Sequence, residues 1–338
     1  MIHNGPGAGE RGRLTPPSAR SILGYALGLV LLIAAGAVIA RHQGTFVGAV
    51  RAAAGSPLWL ICLCLLLPLM NWISVSMSFW VMTRRYGPVG PGEMSALIGG
   101  AWLLNYLPLR PGLIGRLAYH RSVNEIPLKH SVLVIAINSA STGVCALVMI
   151  TIAILLPGGS RWPVWAAALA APPLAMGLVA AGLAPRGGHA WRYWANMVLR
   201  YIDLLAWVAR YAAVFALIGR PISLPLAVAA ATASQLAMLV PIVGNGLGLR
   251  EWAIGLTIGA APAAARILGA GEISTADTPS ALTADLINRA AELAVAIPVG
   301  LASMAYVSKQ IAKHSRRSRP ISPSGRTTGP QPNASDSH

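Results

Sequence analysis

The chain has 338 residues, of which 55% are hydrophobic and only 11% charged, and its formal net charge is +16 at neutral pH. Ordinary soluble domains carry about 25% charged residues, so this composition argues against a water-soluble enzyme. The basic residues lie in short loops and a tail, where anionic lipid headgroups favour them, and we expect no nucleic-acid partner. The composition predicts an all-α, polytopic integral membrane protein.

Six apolar runs approach or exceed the roughly 20 residues that cross a bilayer as a helix. These predicted spans cover residues 22–40, 57–82, 131–156, 162–183, 201–219 and 286–307. Residues 1–20 and 309–338 are rich in Pro, Gly, Ser and Arg and are predicted to be disordered. The predicted transmembrane domain is therefore 21–308, with halves at 21–156 and 162–308.

Two further apolar segments are interrupted by Pro and Gly. One is Glu93–Leu107, which continues into residues 108–116, and the other flanks residues 239–251. Bent backbone inside a membrane has to be surrounded by protein or a water-filled cavity. We therefore expect two broken or re-entrant elements within a helical bundle of about six full spans.

The connecting segments differ in charge. Residues 84–130, with a connector at 120–130, are basic, and residues 184–200 are basic and aromatic, which favours a helix at the membrane surface. The segment 269–285 has acidic residues and neither Lys nor Arg. Because basic loops stay inside, we expect an inner (cytoplasmic) membrane protein with both termini cytoplasmic.

The two interrupted segments have similar patterns. Pro108 is followed seven residues later by Gly115, and Pro241 is followed seven residues later by Gly248, with an arginine soon after each glycine. Each segment follows two predicted spans and precedes one. Three crossings per half would place the second half upside down, so the pattern predicts an inverted repeat, which is typical of transporters.

The second segment also resembles a known family. Asn245-Gly246-Leu247-Gly248-Leu249-Arg250-Glu251 resembles the Gly-Gly-Leu-Gly-x-Arg-Glu signature of the lysylphosphatidylglycerol synthase transmembrane (flippase-like) family. Pro108-Leu109-Arg110-Pro111-Gly112, with Arg116, is similar to its first motif. Asn245 replaces a usual Gly, and Leu113 stands where an acidic residue is common. The family's aminoacyltransferase domain is not found after Val307, so lipid aminoacylation is not expected.

The resemblance implies a lipid translocase that moves a phospholipid or lipid-linked headgroup between leaflets. Helix N-termini after Gly-rich turns attract phosphate, and arginine adds a fixed fork of donors. The predicted substrate-binding residues are Arg110, Gly112, Gly115, Arg116, Gly244, Asn245, Gly246, Gly248, Arg250 and Glu251. Asn105, Gln235 and Asn288 are weaker candidates. We expect no catalytic residue, metal or cofactor, a membrane phospholipid or glycolipid as ligand, and lipid-biosynthesis enzymes as partners.

Other interpretations stay open at this level. Arg250 and Glu251 could form an internal ion pair, or could pair with Asp285, Arg289 or Glu292 on the last helix. For Asp203 and Arg210, a buried pair or interfacial snorkelling is favoured over a binding role. The protein could also be an integral-membrane transferase acting on a lipid headgroup, or a non-catalytic partner in a lipid or glycolipid modification pathway.

Overall fold

The computed structural model describes residues 19–107, 110–156, 160–239, 248–267 and 276–317, with side chains between residues 29 and 262 and between 276 and 314. Within these ranges the chain is helical and contains no strand. Its helices are α1 (Ala19–Arg41), α2 (Gln43–Ala54), α3 (Leu58–Thr83), α4 (Pro91–Leu104), α5 (Pro111–Ser122), α6 (Leu128–Leu155), α7 (Trp162–Leu183), α8 (Ala190–Leu217), α9 (Leu224–Leu239), α10 (Leu249–Ile267) and α11 (Thr278–Arg317).

Four of the described helices, α3, α6, α7 and α11, are long and apolar enough to cross a membrane. They confirm the predicted spans at 57–82, 131–156, 162–183 and 286–307 as helices. Helices α1 and α2 would form a fifth candidate span, but they are bent by 85° where they meet. The chain is therefore an all-helical protein with several apolar helices of membrane-spanning length.

Helix α8 differs from the prediction. A surface helix over 184–200 and a separate span from 201 were expected, but a single helix of 28 residues covers most of both. No Pro or Gly interrupts it. Asn196 and Arg200 are buried, and they donate hydrogen bonds to Ser141 and Thr142 on α6. Asn196 and Arg200 therefore face the protein interior, whereas Tyr193 and Trp194 on the same segment stay exposed.

Helix α11 begins earlier and ends later than predicted. Its first turn is capped reciprocally: Asp277 Oδ1 accepts from the backbone N–H of Ser280 at 3.0 Å, and Ser280 Oγ accepts from the N–H of Asp277 at 2.9 Å. Such a pairing satisfies donors that a helix start leaves free. Asp285 therefore lies inside α11, beyond its first turn, and the helix continues to Arg317, through the first part of the tail predicted to be disordered.

Each interrupted segment forms a pair of short helices. Helices α4 and α5 flank residues 105–110, where Arg110 adopts left-handed backbone with φ of 48° at the N-cap position of α5. The predicted basic connector is shorter than expected, since α5 reaches Ser122 and α6 begins at Leu128. Helices α9 and α10 flank residues 240–247, which lie outside the described part of the chain. The break predicted there stays a prediction.

Hydrogen bonds at both ends show how α3 and α8 lie against each other. At one end, Arg85 donates to the Tyr193 hydroxyl at 2.9 Å, and Arg192 donates to the carbonyl of Val81. At the other end, Ser56 Oγ donates to the carbonyl of Leu217 at 3.1 Å. The two helices are therefore antiparallel neighbours. Helix α4 packs on α11, and α9 packs on α6.

Candidate functional site

A cavity of about 320 Å³ with many polar and charged side chains in its wall, the polar cavity, lies where α4, α5 and α9 meet α3, α6, α8 and α11. Both interrupted segments contribute to its wall, α5 through Leu113 and α9 through Met238 and Leu239. Asn105 and Gln235, the weaker candidates from the sequence, also line it. Four arginines and two carboxylates supply its charged groups: Arg110, Arg116, Arg200, Arg210, Asp203 and Glu292. The cavity therefore has more cationic than anionic side chains.

Asp203 and Arg210 do not pair with each other. Arg200 pairs with Asp203 at 3.3 Å, and Arg210 pairs with Glu292 at 2.8 Å. Asn71 connects the two pairs, because its amide nitrogen donates to Asp203 at 2.7 Å and its amide oxygen accepts from Arg210 at 3.2 Å. Of the alternatives left open for Asp203 and Arg210, the direct buried pair is not formed, and two ion pairs that share one asparagine stand in its place.

Glu292 is the most heavily contacted of these carboxylates. Its Oε2 accepts from Arg210 at 2.8 Å and from Arg250 at 3.4 Å. Its Oε1 accepts from the Tyr106 hydroxyl at 2.8 Å and from Trp102 Nε1 at 3.1 Å. Donors from three parts of the fold thus hold one carboxylate at the cavity wall, which offsets the cost of burying its charge.

Arg250 lies behind this wall and is fully buried. Its Nη2 and Nε donate to the two oxygens of Asp285 at 3.0 and 3.2 Å, a bidentate contact. Tyr211 donates a further hydrogen bond to Asp285 at 3.1 Å. This is the pairing with the last helix that the sequence left open, and the guanidinium has no contact with the cavity in this conformation.

Glu251 is also paired with the last helix. Its carboxylate is in ion-pair contact with Arg289 on α11, and both side chains are buried. Helix α10 is therefore held to α11 by two adjacent ion pairs of opposite polarity, Arg250 with Asp285 and Glu251 with Arg289. Asn288, a weaker candidate, accepts a hydrogen bond from Arg210 at 3.0 Å and does not line the cavity.

An aromatic ring stabilises two of the buried cations. The guanidinium of Arg210 lies 3.9 Å from the ring centroid of Trp207, and that of Arg250 lies 5.4 Å from it. Desolvated cation–π contacts of this kind are worth about 2 kcal/mol. Both guanidinium groups therefore lie near the ring of Trp207, and both also donate to Glu292.

Arg116 has a different environment from these arginines. It is only 7% exposed and lines the cavity, with its guanidinium 4.1 Å from the ring centroid of Phe79. Within the described residues, no carboxylate pairs with it and no group accepts a hydrogen bond from it. The other buried arginines of the cavity and of the α10–α11 contacts each pair with a carboxylate. Arg116 differs from them because, among the described residues, only the face of an aromatic ring compensates its charge.

The predicted glycines have separate roles. Gly112 touches the backbone of Ala101, so that a Cβ would overlap it, whereas a Cβ on Gly115 would meet no atom within 4 Å. Gly248 has φ of 79° directly before α10, a conformation that glycine adopts at little cost. Gly244, Asn245 and Gly246 lie outside the described residues, and their role stays a prediction.

Gly112→Ala should destabilise the protein, because the added methyl group would force α5 away from α4. Overpacking of this kind costs typically about 1–3 kcal/mol. Thermal unfolding of the purified protein would show a lower Tm. Gly115→Ala, on the same helix, should leave the Tm unchanged or slightly higher. Equal effects of the two substitutions would contradict the close approach of α4 and α5.

Several site residues were not predicted from the sequence. Trp102, Tyr106 and Trp207 appeared only as apolar or aromatic residues, and Arg200 was assigned to a surface helix. The spacing of charged and aromatic residues on α8 could have indicated part of the site. Arg200, Asp203, Trp207 and Arg210 recur at three- and four-residue intervals on one face of α8. Charged residues on one face of an otherwise apolar helix indicate a polar interior.

Comparison with protein-family models, with curated proteins and with solved structures finds no match to this chain. The described residues contain no group of three or more His, Cys, Asp or Glu side chains that could hold a metal ion. The geometry of the site therefore carries the functional argument.

Proposed function

We propose that the protein moves a lipid with an anionic, phosphate-bearing headgroup between membrane leaflets, and that Arg116 holds the phosphate in the polar cavity. The main support for this proposal is the environment of Arg116. A buried ion without a counter-charge costs several kcal/mol, whereas a cation–π contact returns only about 0.5–2 kcal/mol. The folded protein thus keeps a cation that packing does not explain, and a bound phosphate would supply its missing charge.

The remaining charges would favour an anion over a cation. Arg200 and Arg210, which line the same cavity, already have carboxylate partners. A phosphate at Arg116 would therefore need to break no existing ion pair. The planar guanidinium also offers parallel donors that match a phosphate oxygen pair. Transport of a lipid headgroup needs such a site inside the protein, because a charged group in hydrocarbon is costly.

The helix order and packing support an inverted repeat. If α3, α4, α5 and α6 correspond to α8, α9, α10 and α11, the packing of α4 on α11 has a counterpart in the packing of α9 on α6. Both interrupted segments border the same cavity. Two halves of opposite orientation around one site would open it to one leaflet at a time.

The proposal also agrees with the resemblance to the lysylphosphatidylglycerol synthase transmembrane family. Of the residues that this resemblance singled out, Arg110 and Arg116 line the cavity. Arg250 and Glu251 instead hold α10 to α11. A direct contact of Arg250 with the headgroup would need a conformation in which its pair with Asp285 opens.

We further propose six crossings, with α8 among the spans, and the basic end of the bundle in the cytoplasm. Single cysteines test this orientation in a protein whose Cys62, Cys64 and Cys145 are replaced. Arg161→Cys, before α7, should react with a membrane-impermeant maleimide in intact cells. Gly188→Cys, before α8, should react only after the cells are permeabilised. The reverse pattern would overturn the orientation.

The transport assay uses the purified protein in liposomes with fluorescent phosphatidylglycerol, whose outer-leaflet fraction is bleached by dithionite. We expect the bleached fraction to exceed half with the wild-type protein and to stay at half with Arg116→Met. Mass spectrometry of the recovered lipid separates the other functions. A changed headgroup would identify a transferase, and an unchanged lipid that does not cross would favour a partner role.

A further inference from the structure

A second, apolar groove adjoins the polar cavity. It measures about 330 Å³ and lies between α4, α5 and α11. Small and aliphatic side chains form most of its wall: Ala96, Gly100, Gly115, Ala118, Val307 and Ile311. Gly115, Ala118 and Ile311 are exposed, so the groove opens at the outer surface of the protein.

Arg116 connects the groove to the cavity. Its side chain and Ala101 line both spaces. A ligand that fills both would therefore place a polar part on one side of the guanidinium and an apolar part on the other. Arg116 is more than nine-tenths buried at this junction and lacks a carboxylate partner among the described residues.

We propose that the groove holds part of one acyl chain of the lipid whose phosphate is bound by Arg116. This inference rests on the phosphate site proposed above. The residues that line the groove on α11 run from Met304 to Ile311, which corresponds to about 10 Å of helix. Since this is less than the roughly 15 Å half-thickness of the hydrocarbon core, the end of the chain would remain in the bilayer.

The groove would fix the position of the chain more than it would add affinity. Lipid tails in the bilayer are already in apolar surroundings, so burial against protein gains no hydrophobic free energy. The charged contact at Arg116 would select the lipid, and the groove would keep its tail beside the headgroup path. A test must therefore measure where the chain lies, rather than how tightly the lipid binds.

Photo-crosslinking in proteoliposomes measures this position. The probe is phosphatidylglycerol with a diazirine in one acyl chain, and diacylglycerol with the same chain serves as the lipid without phosphate. We expect phosphatidylglycerol to label α5 and the end of α11 more strongly than it labels the exposed face of α7. Diacylglycerol should label these surfaces equally.

Matched variants separate the groove from general lipid contact. Ala118→Trp fills the groove at an exposed position, and Ala175→Trp adds the same ring at an exposed position on α7. The first should reduce groove labelling to the level of α7, and the second should not change it. Ser122→Trp, also at the groove, replaces Ala118→Trp should that variant fail to fold. Arg116→Met should reduce phosphatidylglycerol labelling to that of diacylglycerol.

Equal labelling by the two lipids, or labelling unaffected by tryptophan in the groove, would overturn the assignment. When the crosslinking result is combined with the transport assay, failure of the acyl-chain site can be distinguished from failure of the proposed translocation. Phosphate-dependent labelling of the groove without lipid movement supports the acyl-chain site and overturns translocation. Movement of phosphatidylglycerol without labelling of the groove supports translocation and overturns the acyl-chain site.

Discussion

Replacing Arg116 by methionine should raise the thermal stability of the protein while it stops the proposed lipid transport. The substitution removes a buried cation that has no carboxylate partner among the described residues, and it leaves no counter-charge behind. Apolar replacement of buried ion pairs is neutral or stabilises other proteins by roughly 1–4 kcal/mol, and a lone buried cation has no partner charge to lose. Methionine also keeps contact with Phe79, since sulfur packs favourably on aromatic rings. Differential scanning calorimetry and the dithionite assay measure the two effects.

Arg121→Met is the control on the same helix, because Arg121 is exposed. It should change neither the Tm nor transport measurably. A gain in stability at the cost of activity is the pattern expected of a functional residue. A lower Tm for Arg116→Met would show that the arginine is structural, and the proposed phosphate site would then be withdrawn.

Replacing Arg250 by methionine should have the opposite effect on stability. Asp285 would lose its bidentate partner while it remains fully buried, and breaking a buried pair in this way costs about 3–5 kcal/mol. We expect a large fall in Tm and in the yield of folded protein. Arg250→Lys should be intermediate, because a single ammonium group cannot reproduce the two parallel hydrogen bonds.

The double variant Arg250→Met with Asp285→Asn should recover part of the lost stability, because no uncompensated carboxylate then remains at that position. A double-mutant cycle with the two single variants gives the coupling energy. If Arg250→Met instead keeps the wild-type Tm and abolishes transport, Arg250 contacts the headgroup directly. The ion pair with Asp285 would then describe only one of its conformations.

The apolar spans could be predicted because their length and composition are local properties of the sequence. Helices α3 and α7 begin and end close to the predicted residues. The extent of α8 depends on a contact that is distant in the sequence, because Arg200 looks like a surface residue until Thr142 of α6 is placed beside it. The start of α11 instead depends on a local cap between Asp277 and Ser280, which hydropathy does not reveal.

In the candidate site, too, some residues could be predicted from the sequence, whereas their contacts could not. Arg110 and Arg116 could be proposed from the sequence, because a Pro- and Gly-rich break marks irregular backbone inside an apolar region. The partner of each arginine could not be derived from such a pattern. Arg116 and Arg250 follow similar motifs, but only Arg250 has acidic residues of α11 within reach. That difference arises from packing, and it separates a structural arginine from a proposed binding arginine.

Glu292 connects the cavity to α10 of the second helix pair. One of its oxygens accepts from Arg210 on α8 at 2.8 Å and from Arg250 on α10 at 3.4 Å. An anion bound at Arg116 would also attract Arg210, which lines the same cavity. The pair of Arg210 with Glu292 would weaken without breaking, the shared oxygen would interact more strongly with Arg250, and α10 would be held more firmly to α11. By thermodynamic linkage, a shift of α10 that weakened its contact would lower the affinity of the cavity for the anion equally. Hydrogen exchange of α10 that is insensitive to added phosphatidylglycerol would argue against this coupling. If the coupling holds, ligand occupancy and the position of α10 both depend on the carboxylate of Glu292, so that a change in one alters the other.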